Sequence, residues 1–376
     1  MIPLTKPFFG KEEINAVKKT LDSGWVAGQG PASAEFEKSF SAYLGVKNCV
    51  AVNNCTAALH LSLLALGIGK GDEVIVSDYT FPATGHAVLY CGAKPVFADV
   101  QKDSYNIDPA EIERLITPKT KAILPVHAFG YPAEMDKIMY IAKKNGLKVV
   151  EDAACAAGAK YRGKFAGTFA ELGCYSFHGR KNVTTGEGGM VSTDDKTLAS
   201  KVRSLSCFGM TSAFARQFES EFQPPVFTAL GFNYKLSDIA SAIGIEQLKR
   251  IEGAIERKNA LAKLYGEQLS GVDGVTPPAV SKSVRHVYQS YVCLLDENIN
   301  RNRIISKLRA KGVQAQIGTY ASHIQPVYAD YGVRTLKGAC PNSLFVFEHS
   351  IALPMFYDLN EEQVFKVVKS LKEVVS

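Results

Sequence analysis

The chain has 376 residues, 46% hydrophobic and 21% charged, the composition of a globular protein with room for a large core and for two or three domains. Its formal charge of +6 comes from 43 basic and 37 acidic residues spread along the chain, which argues for small anionic substrates and against nucleic acid. The opening MIPLTKPFFGKEE lacks the apolar core of a leader, no apolar run approaches the ~20 residues of a membrane span, and the eight cysteines show no CxxC spacing. The expectation is a cytoplasmic protein with reduced thiols, no disulfide frame, no membrane partner and no metal site.

Between residues 48 and 195, short apolar runs alternate with helical patterns. CVAVNN, EVIVSD, KPVFAD, KAILPV, LKVVED, GCYSF and GMVST read as buried strands. TAALHLSLLAL, PATGHAVLYCG, DPAEIERLI and AEMDKIMYIAKKNG read as helices, the last stopped by Gly146. This alternation predicts an α/β fold with a mostly parallel sheet flanked by helices. From Ser237, or from Asp238 as the cap, SDIASAIGIEQLKRIEGAIERKNALAKLYGEQL predicts a long amphipathic helix broken near Gly253. The remainder, with strands in VYQSYVCLL and VQAQIG and helices in RNRIISKLRAKG and NEEQVFKVVKSLKEVV, predicts a smaller α+β domain. The expected division is a large domain over residues 1–250, with an N-terminal arm, and a small domain over residues 251–376.

In a parallel sheet ligands collect beyond the carboxyl ends of the strands. The first strand ends in NNCTAALH, where Thr56 and Ala57 open a helix whose free N–H groups suit an anion, or are simply capped. The second ends in SDYTFPATGH and places Phe81 near the same rim, as ligand platform or as core. LKVVEDAAC delivers Glu151 and Asp152 to opposite faces, so one of them faces a given ligand unless they serve as caps for the next segment. SFHGRKNVTTGEGG carries Ser176 at a strand end and Lys181 before a glycine run. The phosphate-loop fingerprint GxxxxGK[ST] is absent, and GQGPAS at 28–33 lacks the last glycine of GxGxxG. A helix start ready for phosphate, a flat aromatic, a strand-end carboxylate and a lysine are together what pyridoxal phosphate requires.

SFHGRKNVTTGEGGM resembles the S-F-x-x-x-K-x-x-x-x-G-E-G-G signature of the DegT/StrS family of nucleotide-sugar aminotransferases, fold-type I pyridoxal phosphate enzymes. GWVAGQGP, GDEVIVSDYTF, GAKPVFADV, PVHAFGYPAEMD, VVEDAACAAGA, GFNYKLSDIASAIGIEQLKRI and HIQP extend the resemblance over nearly the whole chain. It implies pyridoxal 5'-phosphate as cofactor, with Lys181 carrying its Schiff base and Asp152 at its pyridine nitrogen. It also implies Thr56, Ala57 and Ser176 at the phosphate, Phe81 against the ring, and Asn233 reaching in from the second protomer of a homodimer with shared sites. Cys155 stands where many members have glutamine, beside the cofactor, and Cys55-Thr56-Ala57 replaces Gly- or Ser-Thr-Ala. The implied reaction is ping-pong transfer of an amino group from an amino acid, with glutamate as the expected donor, to a keto sugar, with a nucleotide-linked 4-keto-6-deoxy hexose as the expected acceptor. A keto-cyclitol or other non-nucleotide ketone, and a silent pyridoxal phosphate-binding regulator, are the alternatives. Catalysis requires burial and the neighbouring cofactor to lower the pKa of Lys181. His178, Arg180, His286, Tyr288, Tyr320 and His323 are candidate substrate-wall residues, each with an equally plain structural use.

Overall fold

In the computed structural model, residues 1–210, 224–333 and 340–375 are described. The seven expected strands form one sheet: β1 (Asn48–Val52), β2 (Glu73–Ser77), β3 (Lys94–Ala98), β4 (Thr120–Leu124), β5 (Lys148–Asp152), β6 (Leu172–Ser176) and β7 (Gly189–Thr193). Their order is β1-β7-β6-β5-β4-β2-β3, and only β7 runs antiparallel to its neighbours. The period of two along each strand splits its apolar residues between two layers. Val74 and Val76 of β2 face one core with Leu59 and Leu63, whereas Ile75 faces another with Ile138 and Ile141.

The helices of this unit are α1 (Lys11–Ser23), α2 (Pro31–Leu44), α3 (Cys55–Ala65), α4 (Ala83–Tyr90), α5 (Pro109–Leu115), α6 (Met135–Asn145), α7 (Lys196–Ser206) and α8 (Asp238–Lys249). Helix α3 is apolar all round and buried, because β5, β6 and β7 lie on one side and α4 and α7 on the other. Its first turn therefore sits at the carboxyl ends of the central strands. Helix α9 (Ile251–Leu269) packs Ile251 and Ile255 with the aromatic cluster of Phe36, Phe40, Tyr175 and Phe177. Its second half, Leu261 to Leu269, belongs to another core.

That other core covers a four-stranded antiparallel sheet, β8 (Val275–Thr276), β9 (Tyr291–Leu295), β10 (Gln316–Ile317) and β11 (Ser350–Leu353), in the order β8-β9-β11-β10. Helices α10 (Arg301–Ala310) and α13 (Glu361–Val375) cover it, α11 (Pro326–Asp330) packs on the large unit's core, and α12 (Pro341–His349) lies between the sheets, its Ser343 N–H donating to Asp99 and its Val346 packing with Val292 and Ala352. The chain's first residues join this unit: Ile2 N–H donates to Gly312 O at 2.7 Å, and Met355 N–H donates to Leu4 O at 3.0 Å. A short antiparallel ribbon, Tyr79–Thr80 with Tyr320–Ala321, ties the two sheets together beside β2.

Three expectations need correction. The long helix breaks at Arg250, three residues before Gly253; Arg250 (φ −103°, ψ 0°) ends α8 and opens α9, and its guanidinium binds Glu13 of α1. VYQSYVCLL is extended only from Tyr291, because Tyr288 turns with φ +43°. VQAQIG contributes only Gln316 and Ile317 to the sheet, because the segment before them pairs with the N-terminal arm at Val313 and Gln314.

Candidate active site

Strand β5 sends its two carboxylates to different uses. Glu151 is fully buried and filled by neighbours: its Oε1 accepts from Phe169 and Ala170 N–H at 2.6 and 2.8 Å. Its Oε2 accepts from Gly167 N–H at 2.7 Å and lies 2.9 Å from His127 Nε2. Asp152, also buried, has fewer partners: Oδ1 accepts from Ala154 N–H at 3.0 Å, and Oδ2 from the Thr84 hydroxyl at 2.9 Å. Burial pushes its pKa above the ordinary carboxylate value, against the pull of Ala154, Thr84, Lys181 and His127. A carboxylate in this state gains most from a cation placed against it.

Lys181 stands on the turn after β6, its N–H donating to His178 O at 2.9 Å. Its Nζ lies 3.1 Å from Cys155 Sγ. Burial lowers its pKa more than any other single influence, yet Cys155, Cys55 and Asp152 together outweigh burial and hold it above the usual lysine value. Burial thus acts in the expected direction, and the expected lowering of Lys181 is a property of the site with its cofactor.

The first turn of α3 adjoins these groups in the fold. Asn54 caps it, Oδ1 accepting from Ala57 N–H at 2.8 Å, so Ala57 already has a partner and Thr56 beside it is half-buried. Asn53 Oδ1 is buried with no hydrogen-bond partner among the described residues. The glycines of GEGG explain how close β7 comes. A Cβ on Gly189 would lie 2.6 Å from the Asn54 carbonyl carbon, and Gly186 turns with φ +83°. Ser176 ends β6, buried, its Oγ accepting from His178 N–H at 3.3 Å. Phe81 leaves 64% of its surface exposed, an open aromatic face at the rim with Tyr320 6.3 Å away.

An amine, a buried carboxylate with two donors, a helix start and an open aromatic ring are a set that fits pyridoxal phosphate. Thr84 escaped the sequence reading although it lies three residues after Phe81; only its packing against Asp152 reveals it.

The wall candidates divide into three places. Arg180 shares a cleft with Lys181. His178 sits on the same turn, its Nδ1 accepting from Arg180 N–H at 3.3 Å and its Nε2 3.8 Å from Glu187. Tyr320 and His323 belong to the Phe81 rim. His323 Nδ1 lies 2.6 Å from Asp78 Oδ2, and although burial acts to lower its pKa, Asp78 raises it above the ordinary histidine value. Cys340 completes a group with these two whose potential ligand atoms lie within 4.8 Å, but the Asp78 carboxylate there already binds His323 and Ser343. His286 lines a different pocket with Tyr105, Phe129 and Tyr131, where burial pushes its pKa down to about 4. Tyr288 packs against it with ring centres 3.9 Å apart. Asn233 is exposed, its Oδ1 accepting from Lys235 Nζ at 2.5 Å.

The sequence matches the model of the DegT/DnrJ/EryC1/StrS aminotransferase family over residues 7–372. It is 38% identical to the GDP-perosamine synthase of Caulobacter vibrioides, over 100% of this chain and 98% of that protein. It is 37% identical to the spore coat polysaccharide biosynthesis protein SpsC of Bacillus subtilis, over 100% and 97%. The fold superposes on a putative sugar aminotransferase of Streptococcus pneumoniae in its PMP form with a TM-score of 0.94 and 28% identity, over 100% of this chain and 99% of that one. The chain belongs to the DegT/DnrJ/EryC1/StrS aminotransferase family and is a pyridoxal phosphate-dependent sugar aminotransferase of fold-type I.

Proposed function

We propose that the enzyme moves an amino group from glutamate to a nucleotide-linked 4-keto-6-deoxy hexose by ping-pong chemistry. The observation that carries this reading is the convergence of Lys181, the buried Asp152 and the α3 start on one sheet end. The Caulobacter relative, named for a GDP-linked amino sugar, supports a nucleotide sugar as acceptor. When bound, pyridoxal phosphate supplies an electron sink for the donor carbon. Asp152 would hold its negative charge against the ring nitrogen, with Thr84 and Ala154 fixing the carboxylate. Thr56, Ala57 and Ser176 would donate to the phosphate, Ala57 after exchange of its Asn54 partner. Phe81 would cover the ring and Cys155 lie beside it. Lys181, once released, would carry a proton at Nζ between the donor's α-carbon and the cofactor. That task needs a neutral amine, which the burial of Lys181 favours.

We extend the proposal to a homodimer whose sites each borrow Asn233 from the other protomer; the exposed Ile14, Leu21, Trp25 and Leu230 support a covered face. The eight free cysteines support a reducing compartment, the cytoplasm. Among the described residues no helix is long and apolar enough to cross a membrane.

The visible spectrum of protein loaded with pyridoxal phosphate, before and after glutamate, tests the first half-reaction. The yellow band should bleach toward the pyridoxamine form, and the bleached enzyme should aminate a nucleotide-linked 4-keto-6-deoxy hexose but not a keto-cyclitol. A band that glutamate leaves unchanged rejects the donor; activity on the cyclitol alone rejects the acceptor.

A further inference from the structure

The cleft that contains Lys181 is bounded by the N-terminal arm (Thr5 to Phe8), the turn from Gly179 to Thr184, the α8–α9 junction and the loop from Met355 to Tyr357. Among the described residues five cationic side chains line it, Lys6, Arg180, Lys181, Arg250 and Lys258, and no carboxylate does. Two of the five are already paired: Lys6 lies 3.8 Å from Asp358, and Arg250 binds Glu13. Lys258 is different. It projects from α9, is 6% exposed, and its Nζ donates to Asn182 Oδ1 at 2.6 Å. Among the described residues no carboxylate forms an ion pair with it, although a buried ammonium normally has one. Asn182, next to Lys181 in the chain, is fixed in turn by its Nδ2, which donates to Val287 O at 3.3 Å. Arg180 at the mouth of the cleft is exposed, and its guanidinium makes no ion pair among the described residues.

A buried cation with no counter-charge among the described residues, in a cleft that none of their carboxylates lines, is relieved by losing its proton or by an anion that enters. We propose that this cleft is an oxyanion-binding subsite, with Lys258 as its buried anchor and Arg180 at its mouth. Its ligand is an anionic group of a substrate: a carboxylate of the amino donor or a phosphate of the activated sugar. The inference rests on the proposed reaction for the identity of these ligands, but not for the existence of the subsite.

Calorimetric titration of the cofactor-loaded enzyme with glutarate and, separately, with inorganic pyrophosphate decides it. Neither probe can undergo the reaction, so a failure of the proposed donor or acceptor would not mask binding. At least one probe should bind the wild type, and Lys258→Met should weaken it by about tenfold or more while Lys258→Arg retains most of it. Arg180→Gln, a change at an exposed side chain, should weaken the same probe by about threefold and serves if the Lys258 variants do not fold. Loss confined to glutarate assigns the donor carboxylate, and loss confined to pyrophosphate assigns the sugar phosphates. Binding of both probes unchanged in Lys258→Met and Arg180→Gln, or binding of neither by the wild type, overturns the subsite.

Discussion

Asp152 and Lys181 can be named from the sequence, but what tunes them cannot. Thr84 reaches Asp152 from α4, 68 positions away along the chain, and no local pattern announces that contact. Thr84→Val keeps the shape and removes the hydroxyl, leaving Ala154 N–H as the carboxylate's direct donor among the described residues. A hydrogen bond to a charged group contributes about 1.5–3 kcal/mol, so the glutamate half-reaction should slow by roughly 10- to 100-fold. Stopped-flow absorbance of the loaded enzyme measures this, and an unchanged rate would remove Thr84 from the site. Lys258 gives a second residue-scale prediction. Burial lowers its pKa from 10.5 to about 8. The unfolded chain therefore binds this proton more tightly than the folded protein, so folding bears a cost at neutral pH that disappears as pH rises from 8 towards 10.5. The gap of 10.5 − 8 = 2.5 corresponds to about 3 kcal/mol. The charged groups that line the cleft with Lys258 are, among the described residues, the cations Lys6, Lys181, Arg180 and Arg250, so none of their carboxylates offsets the cost. In urea titrations the wild type should gain about that much relative to Lys258→Met over this pH window. Parallel pH profiles would contradict the uncompensated charge.

At the level of elements, the strands were legible because β2, β5 and β6 are buried on both faces and read as continuous apolar runs. One of the two inner strands of the small sheet, β11, was not, because SIAL is four residues long and follows α12 without a turn signal. The first two helices also went unread, though for α2 the cause is more instructive. Its N-terminus lies after GQG, a run that invites a phosphate reading, yet the anion there is the protein's own. Asp238, at the start of α8, accepts from Gly30, Ala32 and Ser33 N–H at 3.0, 2.9 and 3.1 Å and from the Ser33 hydroxyl. The glycine is needed because a Cβ on residue 30 would sit 2.2 Å from Asp238 Oδ2. Asp238→Ala strands these buried donors and should cost about 3 kcal/mol or more. Gly30→Ala should destabilise by displacing the same carboxylate, and the double variant should cost little more than Asp238→Ala alone. Chemical denaturation of the three variants measures it; simple additivity would show that the two positions act separately.

For the whole molecule, the open question is whether one chain holds a complete site. Lys181 and Asp152 lie within a single chain's fold, whereas Asn233 is exposed on the segment that leads into α8, its side chain bonded to nearby Lys235. Near it stand exposed apolar side chains, Phe227 and Leu230, which a second copy would shelter at the gain expected for apolar burial. We propose that the small unit, with its N-terminal strap, closes the site from within while the partner closes it from without, and that the unit boundary falls at α9. Mixing two inactive proteins separates the possibilities. If Asn233 acts across a two-fold interface, a dimer of one Lys181→Ala chain and one Asn233→Ala chain has one site carrying both defects and one carrying neither. Random re-association at equal concentrations should then restore about a quarter of wild-type activity per site, provided that each parent is inactive alone. If Asn233 serves its own chain, every site in the mixture carries one defect and activity stays at the parental level. Light scattering on the mixture establishes that dimers have formed, so that an absent recovery counts against the shared site and not against the exchange.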